Sequence, residues 1–415
     1  MNSSAHSKST LESKVWDVVV VGGGMVGATV ALGLANKGFD VLMLEHQAPD
    51  LSWDATAPMQ TRVSALTRAS ENILKNLDAW KGVQKRRYHA FTDMHVWESA
   101  SAAEVHFSSK EIQEPNLGYV VENQVIQSAL WDEIVVHDKI EVGIGYALTS
   151  LVLQADQACL ELDNSIELKT KLVVGADGAF SKTREMAGIG VEEHDYEQCA
   201  VVGCVKTSLP NQATCWQRYQ SEGPFAYLAM QDHWSSIAWY LPTEKMQWAL
   251  SLSDEIFAEN ITQASGEKLG QVVEVAERTA FPLVRRHVEQ YVSPHFALVG
   301  DAAHTIHPQA GQGVNLGLLD AAALIETVSQ AREKSDKDWS RLSVLRRYER
   351  WRRGDNVIVQ RSMEGFDWLF KQNIPLKNEI RKRILPFADQ AKPLKNWLMS
   401  QALKGREVLP ELARL

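Results

Sequence analysis

No run in this 415-residue chain approaches the roughly 18 apolar residues that a membrane-spanning helix needs. The opening stretch, MNSSAHSKSTLESK, is polar, has no apolar core of the secretory type, and gives way at once to a strand pattern. Neither signal peptide nor anchor is expected, and the protein reads as cytoplasmic. Cysteine is scarce. Cys159, Cys199, Cys204 and Cys215 show no C-x-x-C spacing and no accompanying histidine cluster. That argues against a zinc site and a disulfide framework, so no metal is expected and the thiols are read as reduced. Internal repeats and low-complexity segments are missing as well.

The formal net charge is −9, unevenly spread. From Ala331 to Leu415 there are 20 Lys and Arg against 11 Asp and Glu, a balance of +9, which leaves −18 for residues 1–330. A basic tail on an acidic body suits an anionic surface, either lipid headgroups or an acidic face of another subunit, and it also suits a merely solvated helical face. No nucleic-acid partner is expected.

What is present is globular: 45% hydrophobic and 23% charged residues, enough for two domains. Trp16 to Val21 (WDVVVV) is a continuous β-branched run, the composition of a parallel strand buried on both faces. GGGMVGATVALGLANKG and FDVLMLEH follow, completing a βαβ unit. Ser64 to Leu77 reads as helix-like. His95 to Trp97 and Glu104 to Phe107 alternate, and Leu117 to Val136 reads as an amphipathic helix with its lead-in. Lys171 to Val174 is a short buried strand running into GADG. From Ala200 to Leu252 the stretches AVVGCVKTSL, CWQRYQ, FAYLAM, SSIAWYLP and QWALSLS predict antiparallel strands of a separate, inserted sheet. Phe296 to Val299 returns to the parallel type, Val314 to Gln330 predicts a helix, and Leu342 to Lys404 has apolar residues at helical spacing.

Gly22, Gly24 and Gly27 form G-x-G-x-x-G between a strand and a helix. The first glycine permits a tight turn, the second lets backbone approach a pyrophosphate, and the third lets helix and strand pack closely, while the helix N-terminus supplies donors. Glu45 ends the second strand, 18 residues past Gly27, where a carboxylate accepts hydrogen bonds from an adenosine ribose and repels a 2′-phosphate. NAD and FAD both remain open on this motif alone. A second glycine-rich stretch, LVGDAAHTIHPQAGQGVNLGL (Leu298 to Leu318), favours a flavin: Asp301 follows a strand, and Gly311, Gln312 and Gly313 lead to exposed helix amides near Val314. Such a helix end stabilises negative charge on a bound ring.

These motifs, with GADGAFSKTR (Gly175 to Arg184) between them, resemble the aromatic-ring flavoprotein monooxygenases of the p-hydroxybenzoate hydroxylase type. FPLVRRH and LGYVVENQVIQSALW narrow the resemblance to the ubiquinone-biosynthesis hydroxylases, from about Trp16 to Gly405. It implies an α/β fold: a Rossmann-like FAD-binding domain in three parts (15–85, 113–190, 286–341), an antiparallel substrate sheet (86–112 and 191–285), and C-terminal helices (342–415). FAD contacts are implied for Gly22, Gly24, Gly27, Glu45, Arg62 of TRVSAL, Asn123 at the start of NQVIQSAL, Asp177 of the DG motif (shared with a reducing nicotinamide), Asp301, Gly311, Gly313, Val314 and Asn315. Gln309 departs from the pattern, standing where these hydroxylases usually carry an apolar residue.

The chemistry so implied is reduction of FAD by NAD(P)H, addition of O2 at the flavin C4a, and transfer of the distal hydroperoxide oxygen to an electron-rich phenol or quinol. His304 and His307 are the acid–base candidates, set against a purely structural part in their motif, and Gln309 stands close to where a substrate ring would approach. The implied partners are a polyprenyl quinol and O2, with other ubiquinone-biosynthesis proteins, the inner face of the membrane or a second copy as candidate surfaces. Trp216, Tyr219, Phe225, Tyr227, Trp239 and Tyr240 are expected to be mostly core. A flavin-dependent halogenase would carry W-x-W-x-I-P, which WYLP at Trp239 to Pro242 does not match.

Overall fold

A computed structural model describes residues 14–99, 104–305, 313–335, 339–370 and 408–414. In chain order its main elements are β1 (Val15–Val21), α1 (Met25–Asn36), β2 (Val41–Glu45), β3 (Val63–Leu66), α2 (Arg68–Asn76), α3 (Trp80–Gln84), β4 (Tyr88–Phe91), β5 (Asp93–Glu98), β6 (Glu104–Ser108), β7 (Gly118–Glu122), α4 (Asn123–Ile134) and β8 (Ile140–Ile144). There follow β9 (Leu148–Leu153), β10 (Ala158–Leu162), β11 (Glu167–Gly175), α5 (Lys182–Met186), β12 (Val191–Thr207), β13 (Thr214–Tyr219), β14 (Phe225–Ala229), β15 (Trp234–Pro242), α6 (Met246–Ser251) and α7 (Asp254–Ala264). The remainder is β16 (Val272–Val288), β17 (Val292–Ser293), β18 (Phe296–Leu298), β19 (His304–Thr305), α8 (Gly313–Lys334) and α9 (Leu342–Phe370).

The β-branched runs assemble the first sheet in the order β17-β18-β11-β1-β2-β8, parallel from β18 to β8, with β9 and β10 joined to β11 as an antiparallel edge. Trp16, Val18, Val19 and Val20 are buried, as expected of a central strand covered on both faces. Small residues on α1 allow its close seating: a Cβ at Gly27 would lie 1.9 Å from the Gly22 carbonyl oxygen, and one at Gly33 would lie 2.3 Å from Ile325 Cδ1 on α8.

The second sheet runs β19-β16-β12-β15-β14-β13-β5-β6. It is antiparallel except for β13 and β5, which pair in parallel because β5 arrives from the first part of the chain. One face packs Val201, Phe225, Tyr227, Ile237 and Trp239 against Phe257 and Ile261 of α7. Of the six aromatics expected to be mostly core, Tyr219, Phe225, Tyr227, Trp239 and Tyr240 are buried and Trp216 is half-buried. A small third sheet, β3-β7-β4, lies between.

Three elements differ from expectation. Ser64 to Leu66 is strand, not helix: it pairs with β7, and Thr67, whose side chain accepts from Ser70 N, caps α2. The expected lead-in before α4 is β7, held between two partners. QWALSLS is mostly helix α6, entered after Pro242 through a tight turn, with Ala249 buried and Trp248 edge-on to Trp239. The helical expectation for Leu342 to Lys404 is met by α9 as far as Phe370, and residues 371–407 lie outside the described residues. No described helix is long and apolar enough to cross a membrane.

Candidate functional site

Parallel pairing decides where the motifs meet. Val21 is level with Leu44 and with Gly175, and Gly175 is level with Leu298. The four segments that follow, opening on Gly22, Glu45, Ala176 and Val299, therefore emerge side by side at the carboxyl edge of the sheet, where ligands bind in doubly wound folds. Backbone bonds lock the row: Gly22 N donates to Leu44 O at 2.8 Å, Ala176 N to Val21 O at 2.8 Å, and Val299 N to Gly175 O at 3.1 Å.

The three glycines of the first loop have separate tasks. Gly22 has φ +107°, and a Cβ there would meet Ala176 O at 2.5 Å, so the turn itself demands glycine. Gly27 is required by the approach of its helix to Gly22. Gly24 is different: a Cβ built on it meets no protein atom within 4 Å, and its φ of −66° is ordinary. Nothing in the chain requires glycine there, which leaves room for a ligand outside it. Gly24 is also the N-cap of α1 and gives no side-chain cap, so the first-turn amides are available to an anion. Glu45 borders this cradle, its Oε2 accepting from Gly23 N at 2.6 Å. Trp131 Nε1 and Gln127 Nε2 of α4 both donate to Gly23 O, at 2.8 and 3.0 Å, and fix the peptide that follows. Neither had been singled out in the sequence, although both lie in NQVIQSALW.

The second loop is built on a buried charge. Asp320, on α8, is wholly buried. Its Oδ2 accepts from Gly300 N at 3.2 Å and lies 2.5 Å from His304 Nε2. Its Oδ1 accepts from Arg352 Nε at 2.7 Å and Asn356 Nδ2 at 3.1 Å. Burial alone would raise this carboxyl; the His304 and Arg352 charges outweigh it and hold the pKa at about 2. Asp301, next to Gly300, has a contrasting setting. Its surface is open while protein surrounds it closely, as at the side of a cleft. That desolvation pushes its carboxyl above the usual carboxylate range, opposed by the charges of His304, Arg62 and Arg286. Arg184, 4% exposed, joins the DG and GD loops by donating to Ala179 O and Ala302 O at 3.2 and 3.1 Å.

Other expected residues fall as follows. Asp177 accepts from Ser181 Oγ at 2.5 Å and Thr183 N at 3.0 Å, closing the DG turn ahead of α5. Asn123 accepts from Ser64 Oγ at 2.7 Å, and its N–H donates to Arg62 O at 3.0 Å. The Arg62 side chain is exposed, 5.8 Å from the Phe281 ring. Gly313 and Val314 open α8, and no protein atom lies within 4 Å of a Cβ at Gly313. One expectation changes. The Asn315 side chain is buried and ties α8 to the strand and helix beside it, accepting from Thr67 N and Ser70 Oγ and donating to Ala65 O; only its backbone remains for a ligand. His304, weighed as an acid–base candidate against a structural part, is 3% exposed and engaged by Asp320, which favours the structural part. His307, Gln309 and Gly311 lie outside the described residues. The missed Asp320 had one signal: a carboxylate amid LGLLDAAAL, on a helix otherwise apolar at that point, demands a buried partner.

Over this edge the second sheet presents its other face. Ala200, Val202, Ala238, Tyr240, Phe281 and Leu283 share it by register, and Phe281 points to Arg62. Val202, Ala238 and Phe281 are only half-buried, unlike the residues under α7. An apolar, partly open roof above polar loops is the usual form of a site for a flat organic ligand.

The known proteins agree with this geometry. Residues 15–353 match the FAD binding domain family. The chain is 40% identical to the 3-demethoxyubiquinol 3-hydroxylase of Escherichia coli K12 over 93% of this chain and 98% of that protein. It is 31% identical to a ubiquinone hydroxylase of Rhodospirillum rubrum, UbiL, over 97% and 92%. Among solved structures, the p-nitrophenol 4-monooxygenase of Pseudomonas putida DLL-E4 superposes with a TM-score of 0.76 at 17% identity, covering 95% of this chain and 99% of that one, which supports the fold. The open cradle at Gly24, the uncapped α1 and Glu45 fit the ADP half of FAD.

Proposed function

The chain belongs to the FAD-dependent hydroxylase family of ubiquinone biosynthesis, and on that premise we propose that it inserts one oxygen atom of O2 into the ring of a polyprenylated benzoquinol or phenol, with NAD(P)H as electron donor. The observation that carries the proposal is the pairing of a dinucleotide cradle at Gly24 and Glu45 with a cleft-side carboxylate at Asp301 under the apolar face of Val202, Ala238 and Phe281.

Bound FAD supplies the redox chemistry and the activation of O2. The protein's own task is binding, orientation and exclusion of water. The amides of α1 hold the pyrophosphate, Glu45 accepts from the adenosine ribose, and Asp301 accepts from the ribityl chain. Gly313 and Val314 offer backbone donors to the ring at the start of α8. The roof residues keep water from the reacting centre and stack a substrate ring. His304 is already committed to Asp320, and an electron-rich quinol ring needs no dedicated side-chain base. A polyprenyl substrate resides in a bilayer, so contact of this protein with the inner face of the membrane belongs to the same proposal.

The test is mass spectrometry of the quinone pool after deletion of the gene, with wild-type or Asp301→Ala copies supplied. The expected result is a precursor lacking one ring hydroxyl, relieved by the wild type and not by the variant. An unchanged pool on deletion overturns the ubiquinone assignment.

A further inference from the structure

Between Glu45, the last residue of β2, and Val63, the first of β3, a strap of seventeen residues (46–62) runs with neither helix nor strand. Connections beyond about 12–15 residues are uncommon in compact domains and usually have a function. This one begins beside the residue assigned to the adenosine ribose and ends on Arg62, assigned to the flavin, so its two ends stand at the two halves of the cofactor.

Side chains from neighbouring elements hold the strap. Gln124, at the start of α4, donates to Asp50 O at 2.8 Å and Ser52 O at 3.3 Å. Arg87, just ahead of β4, donates through Nη2 to Ala57 O at 2.8 Å and Ala55 O at 3.3 Å, and its guanidinium lies 5.1 Å from the centre of the Trp53 ring. Glu122, the last residue of β7, accepts from Gln60 N through Oε1 at 2.8 Å, and the same oxygen lies 3.4 Å from Arg87 Nη1. On its other side the Gln60 carbonyl accepts from Cys204 Sγ of the second sheet at 3.3 Å. Burial pushes that thiol up to about 12, so it keeps the proton it donates. Two residues on, Arg62 O accepts from Asn123 N at 3.0 Å. Gln60 and Arg62 are thus pinned to the consecutive residues Glu122 and Asn123, with Thr61 alone between the two fixings.

Glu122 is a costly side chain for this place. It is 2% exposed, burial pushes its carboxyl above the usual carboxylate range, and Oε2 is buried with no hydrogen-bond partner among the described residues. A half-satisfied buried carboxylate is destabilising relative to a neutral side chain, and a glutamine would also accept from Gln60 N. What the carboxylate adds is charge, which holds Arg87 and through it the carbonyls of Ala55 and Ala57.

We propose that Glu122 is a positioning residue for Arg62: with Arg87 it fixes the path of the strap so that the Arg62 guanidinium stands at the flavin ring. The inference rests on the proposed FAD site, at whose edge Arg62 is exposed and close enough to Asp301 for its charge to act on that carboxyl. A guanidinium beside the ring stabilises the negative charge that reduction brings and so raises the midpoint potential of the flavin. The sign of the effect separates two causes. Deleting the carboxylate's own negative charge would raise the potential, whereas releasing Arg62 from its place lowers it.

The experiment measures the flavin midpoint potential of the full-length, FAD-loaded protein as wild type, Arg62→Ala, Glu122→Ala and the double variant. Both single variants are expected to shift to more negative potential. The double variant is expected to coincide with Arg62→Ala, because Glu122 then has nothing left to position. Glu122→Asp keeps the charge and withdraws the carboxylate from Gln60 N by one methylene, so it is expected to shift the same way, and it replaces Glu122→Ala should that variant fail to fold. A purely structural Glu122 would lower the melting temperature and leave the potential of the folded holoprotein unchanged. That result overturns the proposal, as does a rise in potential on loss of Glu122, a Glu122 shift retained in full on the Arg62→Ala background, or Arg62→Ala at the wild-type potential. Wild-type protein that takes up no FAD overturns the reading of the site instead, so the two failures are separable.

Discussion

His304 Nε2 lies 2.5 Å from Asp320 Oδ2, and the same carboxylate oxygen accepts from Gly300 N at 3.2 Å. A residue weighed as an acid–base candidate against a structural part is thus part of the support for the loop that presents Asp301. Arg352 and Asn356 complete the network from α9, so the C-terminal helix and the cofactor loop share one buried charge.

Removing that charge is expected to be severe. Asp320→Asn leaves Arg352 and His304 short of an anionic partner in a buried site, which costs about 3–5 kcal/mol. A lower melting temperature and faster loss of FAD on gel filtration are expected; an unchanged melting temperature would show that the network does not support the fold.

The same carboxylate sets an acid limit. Its folded pKa of about 2 lies below the ordinary value of 3.8, so its stabilisation is full above the unfolded pKa and is lost as pH falls through the folded one. Unfolding between roughly pH 4 and pH 2 is expected to include this step. Asp320→Asn removes that part of the pH dependence, measurable as a flatter plot of urea midpoint against pH.

Gly24 and Gly27 are expected to respond oppositely to alanine. A Cβ at Gly24 meets no protein atom, whereas one at Gly27 collides with Gly22 O. Gly24→Ala is therefore expected to melt like wild type with weaker FAD binding, and Gly27→Ala to lose stability first. Titration of apoprotein with FAD and thermal melts separate the two.

Trp131→Phe keeps most of the buried ring and deletes the donor to Gly23 O. A lost hydrogen bond of this kind is worth about 1 kcal/mol, so FAD affinity is expected to fall roughly fivefold. Equal affinities would mean that Gln127 alone holds the peptide.

Periodicity and the two glycine loops were enough to place this chain among dinucleotide-binding α/β proteins and to pick out Gly22, Gly24, Gly27, Glu45 and Asp301, because backbone approach and strand-end carboxylates leave local marks. Continuous apolar runs marked β1, β11 and β18 for the same reason. Short elements were harder: Ser64 to Leu66 and QWALSLS carry ambiguous patterns; pairing with β7 decided the first, and the second folded as the helix α6. The roles of Asp320, Arg352, Arg184 and Trp131 could not be read locally, since each joins residues 32 to 118 positions apart. Only the tertiary structure decided that His304 and Asn315 are engaged inside the protein while Gly24 and Asp301 stay open. A side chain's type fixes which bonds it can make, but whether a protein partner has already taken them depends on what the fold brings within about 3 Å.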